Sequence, residues 1–382
     1  MNETINENAY KYWLHRLPEI GDATIYSLLE EFGTAQGVYN AVAEHNHKVK
    51  SCLKSKKMVD ILTQAPDSPE SLEIEYQRML DKNIHFVTID DVEYPERLRL
   101  ISRPPYAIYY KGRLPEDDVP AVAIIGARDC SEYGTFVANE FGKELAGQGI
   151  NIISGMARGV DGISQRGALN AGGNTFGILG SGVDVCYPMG NYKLYKDIQQ
   201  NGGILSTFPP GREAMKIQFP ERNRIVAALS DLILVVEARA KSGTSITVEL
   251  ALKMGKDVYA VPGRLTDRLS DGCNMLIRNG AGIALAPEDV IRELGFIWQM
   301  LHPESDKLKQ DLIPKLNKGP KPKDIGVLKY LDSNPKSIDE IHTARVKEEP
   351  GTNIRQTFSE LVMLCTEGKA VQVMSGYFYK CL

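Results

Sequence analysis

The sequence predicts an α/β protein. A Rossmann-like parallel-sheet core is preceded by a helical (SAM or helix-hairpin-helix-like) domain and followed by a winged-helix-like domain. Two observations carry the core. Six short apolar runs, AVAIIG (121–126), NIISG (151–155), TFGILG (175–180), GILST (203–207), LILVVEA (232–238) and DVYAVPG (257–263), alternate with helical patterns. Their apolar character is continuous rather than alternating, as strands buried on both faces require. Between the first two runs, Val137, Phe141 and Leu145 mark one helical stripe, and ITVELALKMGK (246–256) is helical again. Such a doubly wound sheet takes its ligand outside the C-terminal ends of the strands.

Taken in order, residues 1–80 are expected to form the helical domain. LPEIG (17–21) leads into ATIYSLLEEFG (23–33), where Ile25, Leu28 and Leu29 recur at helical spacing. The turn either holds a backbone phosphate on its amides or is plain helix packing; Asp22, Glu30 and Glu31 beside it would repel a phosphate. KNIHFVTI (82–89) and AIYYKG (107–112) read as strands, and the core domain is placed at 81–300. A Lys/Pro-rich linker follows at 301–323, kept extended by Pro314, Pro320 and Pro322. In the last domain, 324–382, IGVLKYL (325–331) reads as a helix. SIDEIH opens a second helix with Ser337 and Glu340 in capping-box spacing. Ile354, Phe358, Leu361 and Cys365 mark a third helix over 353–366, followed by a hairpin of AVQVM and YFYK about Ser375-Gly376. The third helix carries Arg355 but also Glu360, with Glu367 just beyond. It could serve major-groove contact, protein contact or plain packing.

Composition excludes several classes. The chain has 382 residues, 45 basic and 49 acidic, for a net charge of −4, so any polyanion must be held by a local patch. No apolar run approaches the length of a membrane span, and the N-terminus lacks a basic and an apolar segment. The six cysteines form no CxxC pair, so reduced thiols, a cytoplasmic location and no metal are expected. No histidine lies between 86 and 301, which removes Ser-His-Asp and Cys-His catalysis from the core. There is no Walker GxxxxGK[ST], and no cofactor is expected.

What remains at the strand ends is an anion shelf. Gly126 and Arg128 follow the first run, Ser154, Gly155 and Arg158 the second, and Gly180 and Gly182 the third. Glycine lets the backbone approach an anion, and arginine offers a planar fork to phosphate oxygens. In the plainer reading these glycines permit tight turns and Arg158 pairs with Asp161 or Asp184. Lys216, Phe219, Arg222 and Arg224 then place three cations and an aromatic within nine residues. That pattern suits phosphates on the cations and a base stacked on Phe219. Alternatively, Phe219 plugs the core and Arg224 is an internal ion-pair partner. Ser242 and Gly243 open another helix as a further anion position, and Asn274 either meets a base edge or fixes its loop.

On these residues the sequence resembles the bacterial DprA/Smf DNA-processing family. The resemblance rests on GAR…S.YG (126–134), SGMARGVDG…GAL (154–169), LGSGVDVCYP (179–188), FPPG (208–211), FPERNRIVAALSD (219–231), VVEA…SGTSIT (235–247), VYAVPG (258–263) and SDGCNMLIRNGA (270–281). It implies a core that binds single-stranded DNA, forms a homodimer, and helps load RecA recombinase onto incoming DNA in natural transformation. It also implies that Arg128 is the phosphate-binding arginine and that Lys216 and Phe219 are the cation and stacking aromatic of a KxxF segment. Gln165 and Thr207 depart from it, standing where the family usually has His and Glu. The competing reading is a nucleotide-binding enzyme of the Rossmann-like phosphoribohydrolase type. Ser242-Gly243-Thr244 with Glu249 echoes the PGGxGT..E segment of such enzymes, although the PGG is absent.

Overall fold

The computed structural model describes residues 6–63, 68–301, 326–331, 336–366, 370–374 and 377–380. The predicted linker lies outside these residues but for its first position, as do Glu367 and the Ser375-Gly376 turn. The chain divides into two compact units, Met1–Leu316 and Asn317–Leu382.

The first unit opens with helices α1 (Glu7–Arg16), α2 (Asp22–Phe32), α3 (Ala35–Ala43), α4 (Lys48–Ser51), α5 (Lys56–Thr63) and α6 (Pro69–Leu80). Capping fixes their starts: Asn6 accepts from the Asn8 amide, Thr34 from that of Gly37, and Ser68 precedes a proline at the first turn. The amide of Tyr106 donates to Asp22 at the start of α2, and Lys57 pairs with Glu19 in the preceding turn. The carboxylate at that helix start thus packs against the segment leading into the sheet. Tyr10, Trp13, Leu14 and Ile25 join Phe86, Tyr106, Tyr109 and Met156 in one apolar cluster, so these helices lie directly on the sheet.

His15 is enclosed in this cluster, its Nδ1 2.8 Å from the Tyr109 hydroxyl. Burial lowers its pKa from 6.5 to about 4. The unfolded chain therefore takes up a proton near pH 6.5 that the folded chain refuses until about pH 4, and stability rises with pH across that window. Acidification through it is expected to cost about 3 kcal/mol, and His15→Gln should flatten that slope; denaturant titrations at several pH values check this.

The sheet begins with β1 (His85–Thr88), continues past α7 (Glu96–Arg99) to β2 (Ala107–Gly112), and then enters the doubly wound part. That part runs β3 (Ala121–Ile125), α8 (Glu132–Gly147), β4 (Asn151–Ser154), α9 (Val160–Asn170), β5 (Thr175–Ile178), α10 (Tyr192–Ile198), β6 (Gly202–Ser206), α11 (Phe219–Leu229), β7 (Leu232–Val235), α12 (Gly243–Lys253), β8 (Asp257–Ala260), α13 (Asp271–Arg278), β9 (Gly282–Ile283) and α14 (Pro287–Leu301). The order across the sheet is β1-β2-β6-β5-β4-β3-β7-β8-β9. From β6 to β9 every pairing is parallel, as expected. The sheet as a whole is mixed, because β2 pairs antiparallel with both β1 and β6, Tyr109 facing Ser206. No crossover helix of the doubly wound kind separates β1 from β2, so the chain simply reverses there. Val137, Phe141 and Leu145 pack under the sheet as their spacing predicts.

At the N-terminal ends of β3 and β7, Asp231 is buried with four donors around it. Arg97 reaches it through Nε (3.2 Å) and Nη2 (3.0 Å), the Ala121 amide at 2.8 Å and Trp298 Nε1 at 3.1 Å. Arg97 also donates to the carbonyls of Val119 and Glu116. This network ties α7 and α14 to the two central strands.

The second unit contains the predicted elements with one correction. Residues 326–330 form a 3-10 turn rather than a helix, Gly326 sitting at φ +68°. It is followed by β10 (Lys336–Ser337), α15 (Ile338–Glu348), α16 (Ile354–Thr366), β11 (Ala370–Met374) and β12 (Tyr377–Lys380), the strands ordered β10-β12-β11. Ser337 and Glu340 make the predicted capping box. Glu360 is spent on the buried Arg345, which also holds Glu349. The outer face of α16 exposes Ile354, Phe358 and Val362 beside Arg355, an apolar rather than cationic surface.

Candidate functional site

In the doubly wound part the chain winds outward from β3 to one side and returns with β7 on the other. Their C-terminal ends flank the switch-point crevice where such sheets hold ligands. A cavity of about 550 Å³ lies there, lined by Arg128, Lys216, Phe219, Arg239, Ser242 and Gly243 among others.

The loop after β3 is built to present Arg128. The Ala127 amide donates to the Glu237 carbonyl at 2.7 Å, and the Glu237 carboxylate accepts from the amide (2.9 Å) and hydroxyl of Ser131. Ser131 in turn caps α8 through the Gly134 amide. Gly159, at φ +74°, backs the loop; a side chain there would collide with the Ala127 carbonyl. Arg128 is left exposed, with its guanidinium 5.7 Å over the Phe219 ring and no carboxylate within ion-pair distance among the described residues. Lys216 is likewise exposed and unpaired among the described residues, on a 3-10 turn that delivers the chain into α11. Phe219, first residue of α11, is half-buried between the two arginines of the site. A Cβ at Gly180 would stand only 3.0 Å from its ring, so that glycine makes the ring's seat.

Five sequence-based assignments change. Ser154 is fully buried and donates to the Ile124 carbonyl at 2.7 Å, so its hydroxyl is not offered to a ligand. Gly182 is buried away from the cavity, its amide bound to the Arg212 carbonyl at 2.8 Å. Arg222 lines the cavity floor, yet it is buried and donates to the carbonyls of Gly155 and Ile178. Burial pushes its guanidinium pKa down, opposed by the nearby carboxylate of Asp161. It braces two strand ends rather than contacting phosphate. Arg224 points away and is clamped on Glu221 and the Arg103 carbonyl, which is the internal-pair alternative. Asn274 makes a reciprocal pair with the backbone of Gly263, fixing its loop. Arg158 is exposed and paired with Asp129 at 3.1 Å, neither of the partners expected. Gly126, Gly155, Ser242 and Gly243 do line the crevice. The Ser242 hydroxyl oxygen is buried there with no hydrogen-bond partner among the described residues, a polar atom at the start of α12.

Two residues were passed over. Glu237 carries the loop of Arg128; an acid ending the apolar run LILVVEA was the signal, since a buried carboxylate requires partners. Arg239, exposed in the cavity wall, sits just before the Ser242-Gly243 helix start.

A family model described as DNA recombination-mediator protein A matches residues 85–295. The chain belongs to the DprA/Smf family. The match covers the mixed sheet from β1 into α14. The DNA processing protein DprA of Streptococcus pneumoniae is 39% identical over 211 residues, covering 55% of this chain and 74% of the relative. Protein Smf of Escherichia coli is 34% identical over 232 residues, 60% and 62% of the two chains. The X-ray structure of the Streptococcus pneumoniae protein covers 77% of this chain and 99% of its own, at 30% identity and a TM-score of 0.57. The family model and the matched relatives are named for DNA processing and recombination mediation. The phosphoribohydrolase reading also lacks its acid, since Glu249 lies exposed on α12 and outside the cavity lining. Among the described residues no cluster of acids, histidines and cysteines suits a metal, and no helix is long and apolar enough to cross a membrane.

Proposed function

We propose that this chain is a cytoplasmic recombination mediator that binds single-stranded DNA along the crevice between the ends of β3 and β7. From there it passes the strand to a RecA-type recombinase. The observation that supports this most directly is the grouping of two unpaired cations, Arg128 and Lys216, with the half-buried ring of Phe219 at one cavity mouth. Phosphates on the cations and an unstacked base against the ring need a strand whose bases are free, which a duplex does not offer. None of these groups reads a base edge, so little sequence preference is expected. The chain's net charge of −4 is compatible with this, because the cations need only be concentrated at the crevice. Action as a homodimer through the core follows from the family reading and belongs to this proposal.

Fluorescence anisotropy with labelled oligonucleotides tests it. Single strands should bind well and matched duplex weakly, with affinity falling as salt rises. Lys216→Ala and Phe219→Ala should each weaken single-strand binding about tenfold. Equal affinity for duplex and single strand, or salt-independent binding, would overturn the assignment.

A further inference from the structure

A second cavity, of about 210 Å³, adjoins the first across Arg128 and Phe219. Its own walls come from Arg158, Gly180, Tyr187 and Pro188. Its volume is below the range of a complete small-molecule pocket and suits a subsite of a longer ligand. Tyr187 is 49% exposed, and its ring lies 5.8 Å from that of Phe219 at a tilt of 35°. A half-exposed aromatic next to a stacking aromatic, with an arginine beside each, is the repeating unit of a single-strand track. Arg128 stands at the Phe219 step and Arg158 at the Tyr187 step. The Arg158 pair with Asp129 is open to solvent on both sides, 63% and 82% exposed, so a phosphate can displace the carboxylate at little cost.

We propose that the second cavity holds the next nucleotide of the bound strand, its base stacked on Tyr187 and its phosphate on Arg158. Arg128 then sits at the phosphate between the two nucleotides. This rests on the single-stranded DNA reading above and adds a residue to it: Tyr187 makes affinity grow with strand length. The ring is what the step needs, and the hydroxyl is not.

The test is a competition ladder of oligo-thymidylates from two to about twelve nucleotides on the full chain, wild type against Tyr187→Ala and Tyr187→Phe. Tyr187→Ala is expected to lose about tenfold on the longer strands and little on the shortest, while Tyr187→Phe binds as wild type. A third variant, Tyr187→Trp, supplies a direct signal. The native tryptophans, Trp13 and Trp298, are buried at 1% and 3% exposure, so quenching of the new indole by added oligonucleotide reports stacking at this position. Unchanged affinity of Tyr187→Ala together with no quenching would overturn the proposal. An equal loss at every length would also overturn it, because Tyr187 would then act only by propping Phe219. Failure of the wild-type chain to bind any oligonucleotide would instead bring down the single-strand reading itself.

Discussion

Arg128→Ala weakens single-stranded DNA binding by a factor on the order of 10 to 100, the largest loss expected from any single side chain of the crevice. The reason is that three neighbouring arginines have protein partners, whereas Arg128, beside Lys216 and Arg239 in the cavity wall, is also held on a braced loop. Arg222 is committed to two backbone carbonyls and Arg224 to Glu221, while Arg158 must first release Asp129. Arg128 alone of these four arginines carries an unpaired guanidinium into the cavity, and its loop is braced by Glu237, so little ordering remains to be done on binding. Charge-assisted bonds to a phosphate contribute roughly 1.5–3 kcal/mol, which sets the size of the loss. The slope of log affinity against log salt should also become shallower by about 0.7, one phosphate fewer being neutralised on a single strand. Arg224→Ala is the control: affinity within about twofold of wild type, because its partners lie outside the crevice. An Arg128→Ala protein with wild-type affinity and salt slope would move the site elsewhere.

The largest stability effect is expected from Asp231→Ala. Removing that carboxylate leaves Arg97 as a buried cation without its counter-charge, and strips an acceptor from the Ala121 amide and Trp298 Nε1. Breaking a buried pair from one side costs about 3–5 kcal/mol. The thermal midpoint of the first unit should drop on the order of 10 °C, measured by calorimetry or circular dichroism. Asp231 lies at the opposite end of the strands from the crevice. The protein that remains folded below the transition should therefore bind DNA as wild type does, which separates this variant from Arg128→Ala.

The parallel core was legible because buried strands must be continuously apolar, and the six runs AVAIIG to DVYAVPG each coincide with a strand of the sheet. The two leading strands were legible as strands, but the pairing of β2 with β6 was not. The pairing of Tyr109 with Ser206 joins residues far apart in sequence, and no local pattern encodes it. The 3-10 turn at 326–330 was read as a helix because IGVLKYL has helical apolar spacing, while the left-handed Gly326 at its start is invisible to periodicity.

At the site, residue type and strand-end position brought Arg128, Lys216 and Phe219 to one cavity, where the structure places all three. They did not suffice for Arg222, since one arginine in FPERNR faces the crevice floor, another Glu221, and only the rotation of α11 decides which. Ser154 failed for a similar reason. A serine ending a buried strand has a carbonyl of the neighbouring strand within reach, here that of Ile124, before any ligand.

The Asp231 network also bears on how the chain reaches its fold during synthesis. Its donors come from positions 97, 121 and 298, and the central strand β3 gains β7 only after more than a hundred further residues have been made. The hydrogen bond from Trp298 to Asp231 thus forms only after a further 67 residues have been made. The leading helices, which share their apolar cluster with Met156 and Tyr109, must wait for the sheet as well. Native contacts so distant in sequence leave apolar helix faces and strand edges without their partners until the later elements are made, the situation in which holding chaperones are most useful.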